Sequence, residues 1–315
     1  MARTGHHGRG SPGTARSVAR TTYDERLRCA AVPKASLRVL TLNLWARDGD
    51  WPSRRTEAAA WLRFLDPDVV LLQEVVSFGD AASTAHEVVD EAGGGWHATV
   101  HQGWVPPPFG GEGVTGWGPA ILTRVAPEVV TVIPLTGDDR SQPALHVRAG
   151  GVDATSCHLA APPLQNLLRQ RQVLDLDEAV RTLDGGGMLP PVMGGDLNAD
   201  HDSDEVRFLV GLTSLKGRSA SWRDAWRVAG PDEPGWTLTD QNPNARPLAA
   251  PRRRVDFVFA GETFRRPQGA GRILDCRLAC HRSLTGAMAS DHFGVVADLW
   301  WPQRPERWGT PEAAG

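Results

Sequence analysis

The chain has 315 residues, of which 41% are hydrophobic, so we expect a sizeable core in one large domain or two small ones. Its net charge of −3 combines +5 over residues 1–36, from six Arg and one Lys against two acids, with −8 over residues 37–315. Because phosphate contacts dominate general nucleic-acid binding, an acidic body argues against that function and suits a carboxylate site around a cation. No run of about 18 apolar residues is present, so stable membrane insertion is not expected.

The first 36 residues are rich in Gly, Ser, Thr and Arg and are predicted to form a disordered basic tail. A solvated tail or an overextended start is favoured over an anchoring arm, and the apolar segment of a secretory signal is missing. The four cysteines, Cys29, Cys157, Cys276 and Cys280, contain no C-x-x-C pair, which favours reduced core thiols over a zinc site or a disulfide. These features together predict a cytoplasmic protein.

The ordered chain begins with a strand, a helix and a second strand. Residues 37–45 are a leucine and β-branched run typical of a strand, and residues 52–65 follow as a helix with Ser53 as candidate N-cap. One face of that helix is apolar and contains Ala58, Trp61, Leu62 and Leu65. Residues 67–75 are almost continuously apolar, which indicates a strand buried on both faces.

Strands and helices remain mixed along the rest of the chain. The predicted elements are a helix over 80–92, strands over 118–124, 127–135, 143–149 and 151–159, a helix over 163–183, a strand ending at Asp196, a short helix over 203–211, and strands over 254–260, 272–281 and 293–301. Long loops are expected over 103–117 and 235–254. This mixture of hairpins and crossovers predicts one layered α/β domain over 37–302, followed by a loose tail over 303–315.

Polar residues recur where the predicted strands end. They are Asn43, Glu74, His158, Asp196, Asn198, Asp256, Asp291 and His292. Each alone is better explained as a turn residue, a solvated strand end or a partner of a nearby arginine. An unpaired buried carboxylate costs on the order of several kcal/mol, so repeated accident is a poor explanation for the whole set. We therefore expect these residues to converge on one divalent cation, and oxygen ligands without a thiolate cluster favour Mg²⁺, with Mn²⁺ able to substitute.

The stretch GGDLN, residues 194–198, ends a predicted strand on an acid and an amide two positions apart. Two residues is the side-chain period of a strand, so Asp196 and Asn198 would share a face if the strand persisted. The two glycines would let backbone and substrate approach closely. This arrangement suggests that one side chain handles water and the other a phosphate.

Six motifs occur in order along the predicted domain: TLNLW, LLQE, SCHL, GGDLNA, RVDFVF and SDHFGV. Each is weak alone, but the ordered set resembles the endonuclease/exonuclease/phosphatase superfamily, and WTLTDQNPNA before RRRVDFVF is also similar to many bacterial members. That superfamily includes deoxyribonucleases, abasic-site endonucleases, sphingomyelinases and inositol polyphosphate phosphatases. The resemblance implies an α/β fold, a four-layer α/β/β/α sandwich with two mixed, mostly antiparallel sheets and a site where the loops of the two sheets meet.

The resemblance also implies roles for the acids and amides. Glu74 would bind the metal, with Asn43 orienting it or a metal-bound water, and Asp291 would add a carboxylate near a metal. Asp196 would orient and partly deprotonate the attacking water. Asn198 would hold a non-bridging phosphate oxygen.

For the histidines, the resemblance implies contacts with the phosphate. His292 would contact it directly, with Asp256 fixing the imidazole tautomer. His158 is similar to the histidine that faces the phosphate in the deoxyribonuclease and sphingomyelinase branches. The abasic-site branch has a tyrosine-bearing segment there, and the single tyrosine of this chain, Tyr23, lies in the predicted tail, so that branch is disfavoured.

Substrate contacts are less sharply indicated. Trp104, Phe109 and Trp117 in the 103–117 loop could form a lid or stacking platform, or fold onto their own surface loop, and both alternatives stay open. Arg252 or Arg253 could clamp a phosphate in a bidentate manner, or could simply neutralise the acidic body.

A further acidic cluster follows Asp196 in the sequence. It contains Asp200, Asp202, Asp204 and Glu205, and it could bind a second cation. Acids at the start of a helix favour the helix dipole, so a solvated helix N-terminus is the preferred interpretation.

These features predict a divalent-metal-dependent phosphoesterase that hydrolyses a phosphodiester or phosphomonoester by in-line attack of an activated water. Its substrate would be a small molecule, a lipid headgroup or a nucleic acid, and no protein partner is inferred. A nuclease with the same site is the first alternative. A non-catalytic binding module on the same fold is the second, and the complete set of catalytic residues argues against it.

Overall fold

The computed structural model describes residues 35–79, 82–103, 113–137, 141–246 and 252–308, together with Met1. Apart from Met1, these residues belong to one compact unit, Lys34–Gly315. Residues 2–34 of the predicted basic tail lie outside the described residues, and Ser36, the last residue of that prediction, already opens the first strand.

The first sheet has seven strands. They are β1 (Ser36–Asn43), β2 (Val69–Phe78), β3 (Ala82–Ser83), β4 (His97–Val100), β5 (Gly116–Thr123), β12 (Ile273–Ala279) and β13 (Gly294–Trp300). Their order is β12-β13-β1-β2-β5-β4, with β3 paired to β2. The β1–β2 pair is parallel and the other pairs are antiparallel.

The second sheet has six strands and a similar plan. They are β6 (Pro127–Ile133), β7 (Ala144–Ala149), β8 (Val152–His158), β9 (Val192–Asp196), β10 (Arg223–Asp224) and β11 (Asp256–Ala260). Their order is β10-β11-β9-β8-β7-β6, and the β8–β9 pair is the parallel one. Each sheet thus contains one parallel pair joined by a helical crossover, which matches the expected mixed, mostly antiparallel topology.

The described helices are α1 (Trp51–Leu65), α2 (Thr84–Glu91), α3 (Asn166–Leu183), α4 (Asp204–Leu209) and α5 (Ala225–Ala229), with 3₁₀ turns at Pro267–Gly269 and Glu306–Trp308. Helices α1 and α2 cover the outer face of the first sheet and α3 and α4 that of the second, whereas Ala225 and Trp226 of α5 join the apolar layer between the sheets. The predicted N-cap of α1 was wrong: Asp50 caps the helix, because its carboxylate accepts the backbone N–H of Ser53. Among the described helices, none is long and apolar enough to cross a membrane.

Three apolar layers hold these elements together. The central layer lies between the sheets and includes Val39 and Leu71 from the first sheet with Val147 and Val258 from the second. A second cluster packs α1 and α2 on the first sheet, with Trp61 at its centre. A third packs α3 and α4 on the second sheet. The predicted four-layer α/β/β/α sandwich is confirmed.

Two local differences from the sequence prediction have simple causes. β1 ends at Asn43 rather than residue 45, because Trp45 and Ala46 adopt left-handed backbone angles, with φ of 53° and 44°. The short elements β3, β4, β10 and α5 were not predicted, and β3 occupies residues that the sequence assigned to the helix over 80–92. A strand of two to four residues carries too little periodicity to recognise.

The end of the chain also differs from the expected loose tail over 303–315. Arg304 forms an ion pair with Asp68 at 2.6 Å, and Trp308 is fully buried against Trp301 with ring centroids 5.4 Å apart. Arg304 and Trp308 therefore tie this segment to the domain, through partners that a Pro-rich composition does not reveal. Residues 309–315 lie outside the described part.

Candidate active site

Sheet register brings the predicted polar residues to one end of the sandwich. His158 and Asp196 are paired at the carboxyl ends of the parallel strands β8 and β9. Asp256 begins the antiparallel strand β11 and is paired with Asp196 from the other side. Asn43 ends β1 in the facing sheet, so residues from both sheets meet where the strands end.

Glu74 reaches this end through a bulge in β2. The pairing of β2 with β5 shifts register between Leu72 and Val75, and Glu74 adopts a positive φ of 56°. Its carboxylate Oε1 accepts a hydrogen bond from Asn43 Nδ2 at 3.0 Å. The same Nδ2 donates to Asp196 Oδ2 at 3.1 Å, so one amide bridges the carboxylates of the two sheets.

The orientation of the Asn43 amide is fixed by the backbone. Trp45 N donates to Asn43 Oδ1 at 2.8 Å, which turns the oxygen away from the carboxylates and the nitrogen toward them. An amide nitrogen does not ligate a cation. In this conformation Asn43 orients the carboxylate of Glu74 and does not itself offer a metal ligand.

Asp196 and Asn198 do not share a strand face. β9 ends at Asp196, and Asn198 takes a left-handed conformation with φ of 50°. Its backbone N donates to Asp196 Oδ1 at 2.8 Å, and its side-chain Nδ2 donates to Leu159 O at 3.1 Å. The prediction of a shared face required the strand to continue past Asp196. The chain instead turns directly after Asp196, so the two side chains do not share a face.

The glycines before Asp196 serve the sheet. A Cβ at Gly194 would lie 2.3 Å from the carbonyl oxygen of Phe257, and one at Gly195 would lie 1.9 Å from that of Cys157. Only glycine lets β9 pack this tightly between its two neighbours. The sequence suggested that the two glycines would let the substrate approach closely. In the structure they let the backbones of the neighbouring strands approach β9.

His292 and Asp256 form a buried pair. His292 Nδ1 lies 2.8 Å from Asp256 Oδ2, and His292 Nε2 lies 3.9 Å from Asp196 Oδ2. Burial alone would lower the pKa of His292, but the carboxylates of Asp256 and Asp196 outweigh it and raise this pKa well above its ordinary value. Nδ1 is held by Asp256, so Nε2 faces the site.

His158 lies on the other side of Asp196. Its Nε2 is 3.6 Å from Asp196 Oδ2 and 4.0 Å from Glu74 Oε1. Its ring meets Trp117 edge-on, with centroids 6.0 Å apart. The structure therefore places Trp117 beside the predicted site, through the imidazole. Trp104 and Phe109 lie outside the described residues.

Asp291 stands next to His292 and is almost buried. Its Oδ1 accepts a hydrogen bond from Ser290 Oγ at 3.2 Å. Burial raises the pKa of Asp291, and burial also raises the pKa of Glu74 although His158 and Asn43 oppose it. Each of these carboxylates thus gains little compensation from the protein when it ionises.

The donor set fits a divalent cation. Four carboxylates, those of Glu74, Asp196, Asp256 and Asp291, lie at this end with two imidazoles and one buried guanidinium. Asp256 Oδ1 is buried without a hydrogen-bond partner among the residues described. Ligand atoms of Asp196, Asp256 and His292 all lie within 4.8 Å of one another, and within the described residues neither Glu74 nor Asp291 belongs to that group. An oxygen-rich set with excess negative charge suits a hard cation of the Mg²⁺ type.

The side chains of the two candidate phosphate-binding arginines have different partners. Arg253 donates to Asn198 O at 3.0 Å and so borders the site. Arg252 is exposed, pairs with Asp240 at 2.6 Å and lies over Trp236 at 5.0 Å. Arg253 is therefore the better placed of the two.

The acidic cluster after Asp196 divides into separate environments. Asp200, His201 and Asp202 bring ligand atoms within 4.8 Å of one another at the surface. Glu205 is buried and pairs with Arg169 at 3.3 Å, while Asp204 lies in the first turn of α4. The four acids do not form one cation site.

Sequence reasoning missed several residues that hold the site together. Gln73 is fully buried and donates to Thr41 Oγ1 and Ser156 Oγ, thereby linking the two sheets beside Glu74. Thr237 Oγ1 accepts the backbone N–H of Asp256, and Asn242 Nδ2 donates to Ser290 O. The motifs LLQE and WTLTDQNPNA contained these residues, but their buried hydrogen bonds leave no periodic signal.

A cavity of about 920 Å³ lies elsewhere and is lined in part by Arg181, Trp222 and Phe264. It contains none of the predicted site residues, and Phe264 is 89% exposed at its rim. The candidate site is therefore distinguished by its chemistry and not by the size of this cavity.

Comparison with known proteins identifies the family and the fold of this chain. Residues 40–292 match the family model described as Endonuclease/Exonuclease/phosphatase family. A search of curated proteins finds no match. Similar solved structures include truncated TDP2 from Caenorhabditis elegans, with 20% identity, a TM-score of 0.61, and coverage of 84% of this chain and 98% of that one.

Two bacterial structures show the same fold. The endonuclease/exonuclease/phosphatase from Bacteroides vulgatus has 17% identity and a TM-score of 0.61, covering 85% of this chain and 100% of that one. The one from Beutenbergia cavernae has 22% identity and a TM-score of 0.56, covering 85% and 72% respectively. The family model spans most of the ordered chain, and the protein therefore belongs to the endonuclease/exonuclease/phosphatase family.

Proposed function

We propose that the protein is a divalent-metal-dependent phosphoesterase that hydrolyses a phosphodiester or phosphomonoester by in-line attack of water. The position of Asp196 carries this proposal. Its Oδ2 lies 3.6 Å from His158 Nε2 and 3.9 Å from His292 Nε2, so one carboxylate stands between two imidazoles. A base beside two donors that can meet a phosphate is the arrangement that phosphate-ester hydrolysis requires.

Asp196 would act as the general base. Its Oδ1 accepts a hydrogen bond from Asn198 N, and its Oδ2 accepts one from Asn43 Nδ2. These two bonds fix the direction in which the carboxylate points. A water within hydrogen-bond reach of Oδ2 would be oriented for attack and would lose its proton to it.

His292 would stabilise the charge that grows on the phosphate oxygens. Asp256 holds its Nδ1 and favours the imidazolium, which leaves Nε2–H to donate to an equatorial oxygen. His158 would offer a second donor from the opposite side. Asn198 and Arg253 border the same space, and we assign them to the phosphate oxygens.

Glu74 and Asp291 would hold the cation, with Asn43 orienting the Glu74 carboxylate. We propose Mg²⁺, with Mn²⁺ able to substitute, because the available donors are oxygens. When bound, such a cation supplies Lewis-acid stabilisation of charge on the phosphate and the leaving oxygen.

The test is hydrolysis of bis(p-nitrophenyl) phosphate and p-nitrophenyl phosphate by the purified chain, with Mg²⁺, Mn²⁺ or EDTA. Asp196→Asn and His292→Ala would be compared with the surface controls Asp90→Asn and His97→Ala, since both control residues are exposed. We expect turnover that needs metal and that only the site variants abolish. Equal turnover by Asp196→Asn and Asp90→Asn would overturn the proposal.

A nuclease is the second candidate, and one comparison favours it. A TDP2 structure from D. rerio with 20% identity and a TM-score of 0.61 is described as complexed with single-strand DNA product. The −8 charge of residues 37–315 argues against strong duplex binding. Adding supercoiled plasmid and a single-stranded oligonucleotide to the assay separates a nuclease from a small-molecule phosphoesterase. Failure on every substrate with intact metal binding would favour the binding-module alternative.

The compartment that we propose is the cytoplasm. Cys157, Cys276 and Cys280 are buried free thiols, and Cys29 lies outside the described residues. Free core thiols suit a reducing compartment. Fractionation of cells that express the tagged chain tests this, and recovery only in an extracytoplasmic fraction would contradict it.

A further inference from the structure

The loop that follows Asn43 has an unusual backbone. Trp45 and Ala46 both adopt left-handed angles, with φ of 53° and 44°, although neither is glycine. L-residues rarely adopt this conformation, and two in succession persist only where the surroundings hold them. Something outside the loop must therefore fix it.

Arg54 on α1 contacts this loop at both of its ends. Arg54 is 2% exposed, and its guanidinium donates to Asp48 O at 2.5 Å and also to Leu44 O. Its Cζ lies 4.8 Å from the ring of Trp45 and 5.3 Å from that of Trp51. A planar fork is required to reach both ends of the loop while stacking on aromatic rings, and lysine lacks that geometry.

The conformation of this loop reaches the site through one hydrogen bond. Trp45 N donates to Asn43 Oδ1, and that bond turns Asn43 Nδ2 toward Glu74 and Asp196. If the loop relaxed, the Trp45 N–H would move and the Asn43 amide would lose its fixed direction. The carboxylates of the two sheets would then lose their common donor.

Arg54 also lies within the electrostatic field of the site. The carboxylates that act on it are those of Asp291, Asp48, Glu74 and Asp50. Two of these, Asp291 and Glu74, are the proposed metal carboxylates. The guanidinium therefore offsets part of their mutual repulsion as well as holding the loop, and its Nε makes no hydrogen bond within the described residues.

We propose that Arg54 is a positioning residue of the site: it holds the 44–48 loop so that Trp45 fixes the Asn43 amide, and thereby aligns Glu74 and Asp196 for metal binding. This inference rests on the proposed function in one respect, since it takes Glu74 as a metal ligand. Arg54 itself touches neither the reacting atoms nor the proposed metal ligands through a hydrogen bond.

The experiment compares Arg54→Lys with Arg38→Lys in the full chain. Arg38 is a matched control because it is 4% exposed and also forks onto a backbone carbonyl and a carboxylate, Leu65 O at 2.7 Å and Asp298 at 2.7 Å, but lies away from the site. Both variants are expected to lower the melting temperature. The Mn²⁺ dissociation constant, measured by electron paramagnetic resonance, is expected to rise about 10–100-fold in Arg54→Lys only.

A metal-free readout separates this inference from the proposed function. Selective ¹⁵N-asparagine labelling reports the side-chain amide of Asn43, whose resonances we expect to shift in Arg54→Lys and to stay unchanged in Arg38→Lys. Absence of hydrolysis by the wild type together with these shifts would overturn the proposed function and leave Arg54 as the residue that fixes Asn43. Unchanged Asn43 resonances and an unchanged Mn²⁺ constant in Arg54→Lys would overturn the inference.

A second variant covers the case in which Arg54→Lys folds poorly. Glycine adopts the left-handed conformation without strain, so Ala46→Gly relieves part of the demand on Arg54. We expect Ala46→Gly to restore part of the Mn²⁺ affinity in the Arg54→Lys background. Restored thermal stability without any recovery of Mn²⁺ affinity would contradict the role of the loop.

Discussion

The two ends of the sandwich both bury charged side chains, but they balance them differently. At the end where β1 begins, Arg38 pairs with Asp298 at 2.7 Å and Arg277 approaches the same carboxylate at 3.4 Å. At the end where β1 finishes, Asp196 is met by the amides of Asn43 and Asn198. The first end is neutralised by guanidinium groups, whereas the second keeps an excess of carboxylates.

Burial does not distinguish the two ends. Asp298 is 2% exposed and Asp196 is 1% exposed. The difference lies in the balance of charge: two arginines face the carboxylate of Asp298, whereas Asp196 shares its end with the carboxylates of Glu74, Asp256 and Asp291. This contrast teaches that an uncompensated group of buried carboxylates, more than the burial of any one of them, distinguishes the candidate site.

The largest effect is expected from Asp196→Asn. The isosteric amide keeps the shape of the site but cannot accept a proton, so we expect turnover to fall by about 10²–10⁴-fold. The melting temperature should stay the same or rise, because one unbalanced carboxylate is removed. Steady-state kinetics and thermal unfolding measure both, and a loss of less than tenfold would remove Asp196 from the role of base.

The neutralised end should respond in the opposite way. Arg38→Met removes the main partner of Asp298, and breaking a buried pair costs about 3–5 kcal/mol. We expect this loss in the free energy of unfolding measured with urea. The Mn²⁺ affinity should stay within about twofold of the wild type, since this cluster belongs to the other end of the sandwich. A tenfold change in affinity would show that the two ends are not independent.

Metal binding should stabilise the folded protein through the end that has the excess of carboxylates. At a concentration 100 times the dissociation constant, a ligand that binds the folded state alone adds about 2.7 kcal/mol. We expect Mn²⁺ to do so in the wild type, and most of the gain to vanish in Glu74→Gln/Asp291→Asn. Asp200→Asn/Asp202→Asn is the matched control and should keep the gain. The reverse pattern would move the cation site to the surface cluster.

The smallest expected effect is on the pH dependence of stability, through Asp153, a buried carboxylate that is compensated by basic partners as Asp298 is. Burial would raise the pKa of Asp153, but His146, the backbone N–H of Gly185 and Arg148 outweigh it and lower this pKa. A lowered folded-state pKa contributes stability above the unfolded value of about 3.9, and that stability is lost as the pH falls through the folded-state value.

Replacing Asp153 tests whether its contribution to stability falls as the pH is lowered. Asp153→Asn should cost about 1 kcal/mol at pH 7, and little when the pH lies below the folded-state pKa. Urea unfolding of both proteins from pH 7 down through the acid range measures the difference. A gap between wild type and variant that widens as the pH falls would contradict the assignment.

Sequence reasoning succeeded where a pattern is local and repeated. The strands were recognised from apolar runs, and the ordered motifs led to the four-layer sandwich. Strand ends meet in such a fold, so Asn43, Glu74, His158, Asp196 and Asp256 could be placed at one end before any contact was known.

Features that depend on tertiary contacts were not predictable. The bulge at Glu74 follows from pairing with β5, and the left-handed turn at Asn198 ended the shared strand face that the i, i+2 spacing suggested. Arg54 lies in a helix, and nothing in the sequence around it distinguishes it from a surface arginine. Its role is visible only when the 44–48 loop folds back over it.

The most direct test of the carboxylate excess is a crystal structure of the protein soaked in Mn²⁺, with anomalous differences collected at the manganese edge. We expect a peak bonded to the Glu74 carboxylate at the end of the sandwich that contains Asp196 and His292. The same soak of Glu74→Gln should lose that peak. Mn²⁺ bound only at Asp200 and Asp202, or no peak beside Glu74 in the wild type, would contradict a metal-dependent site at the strand ends.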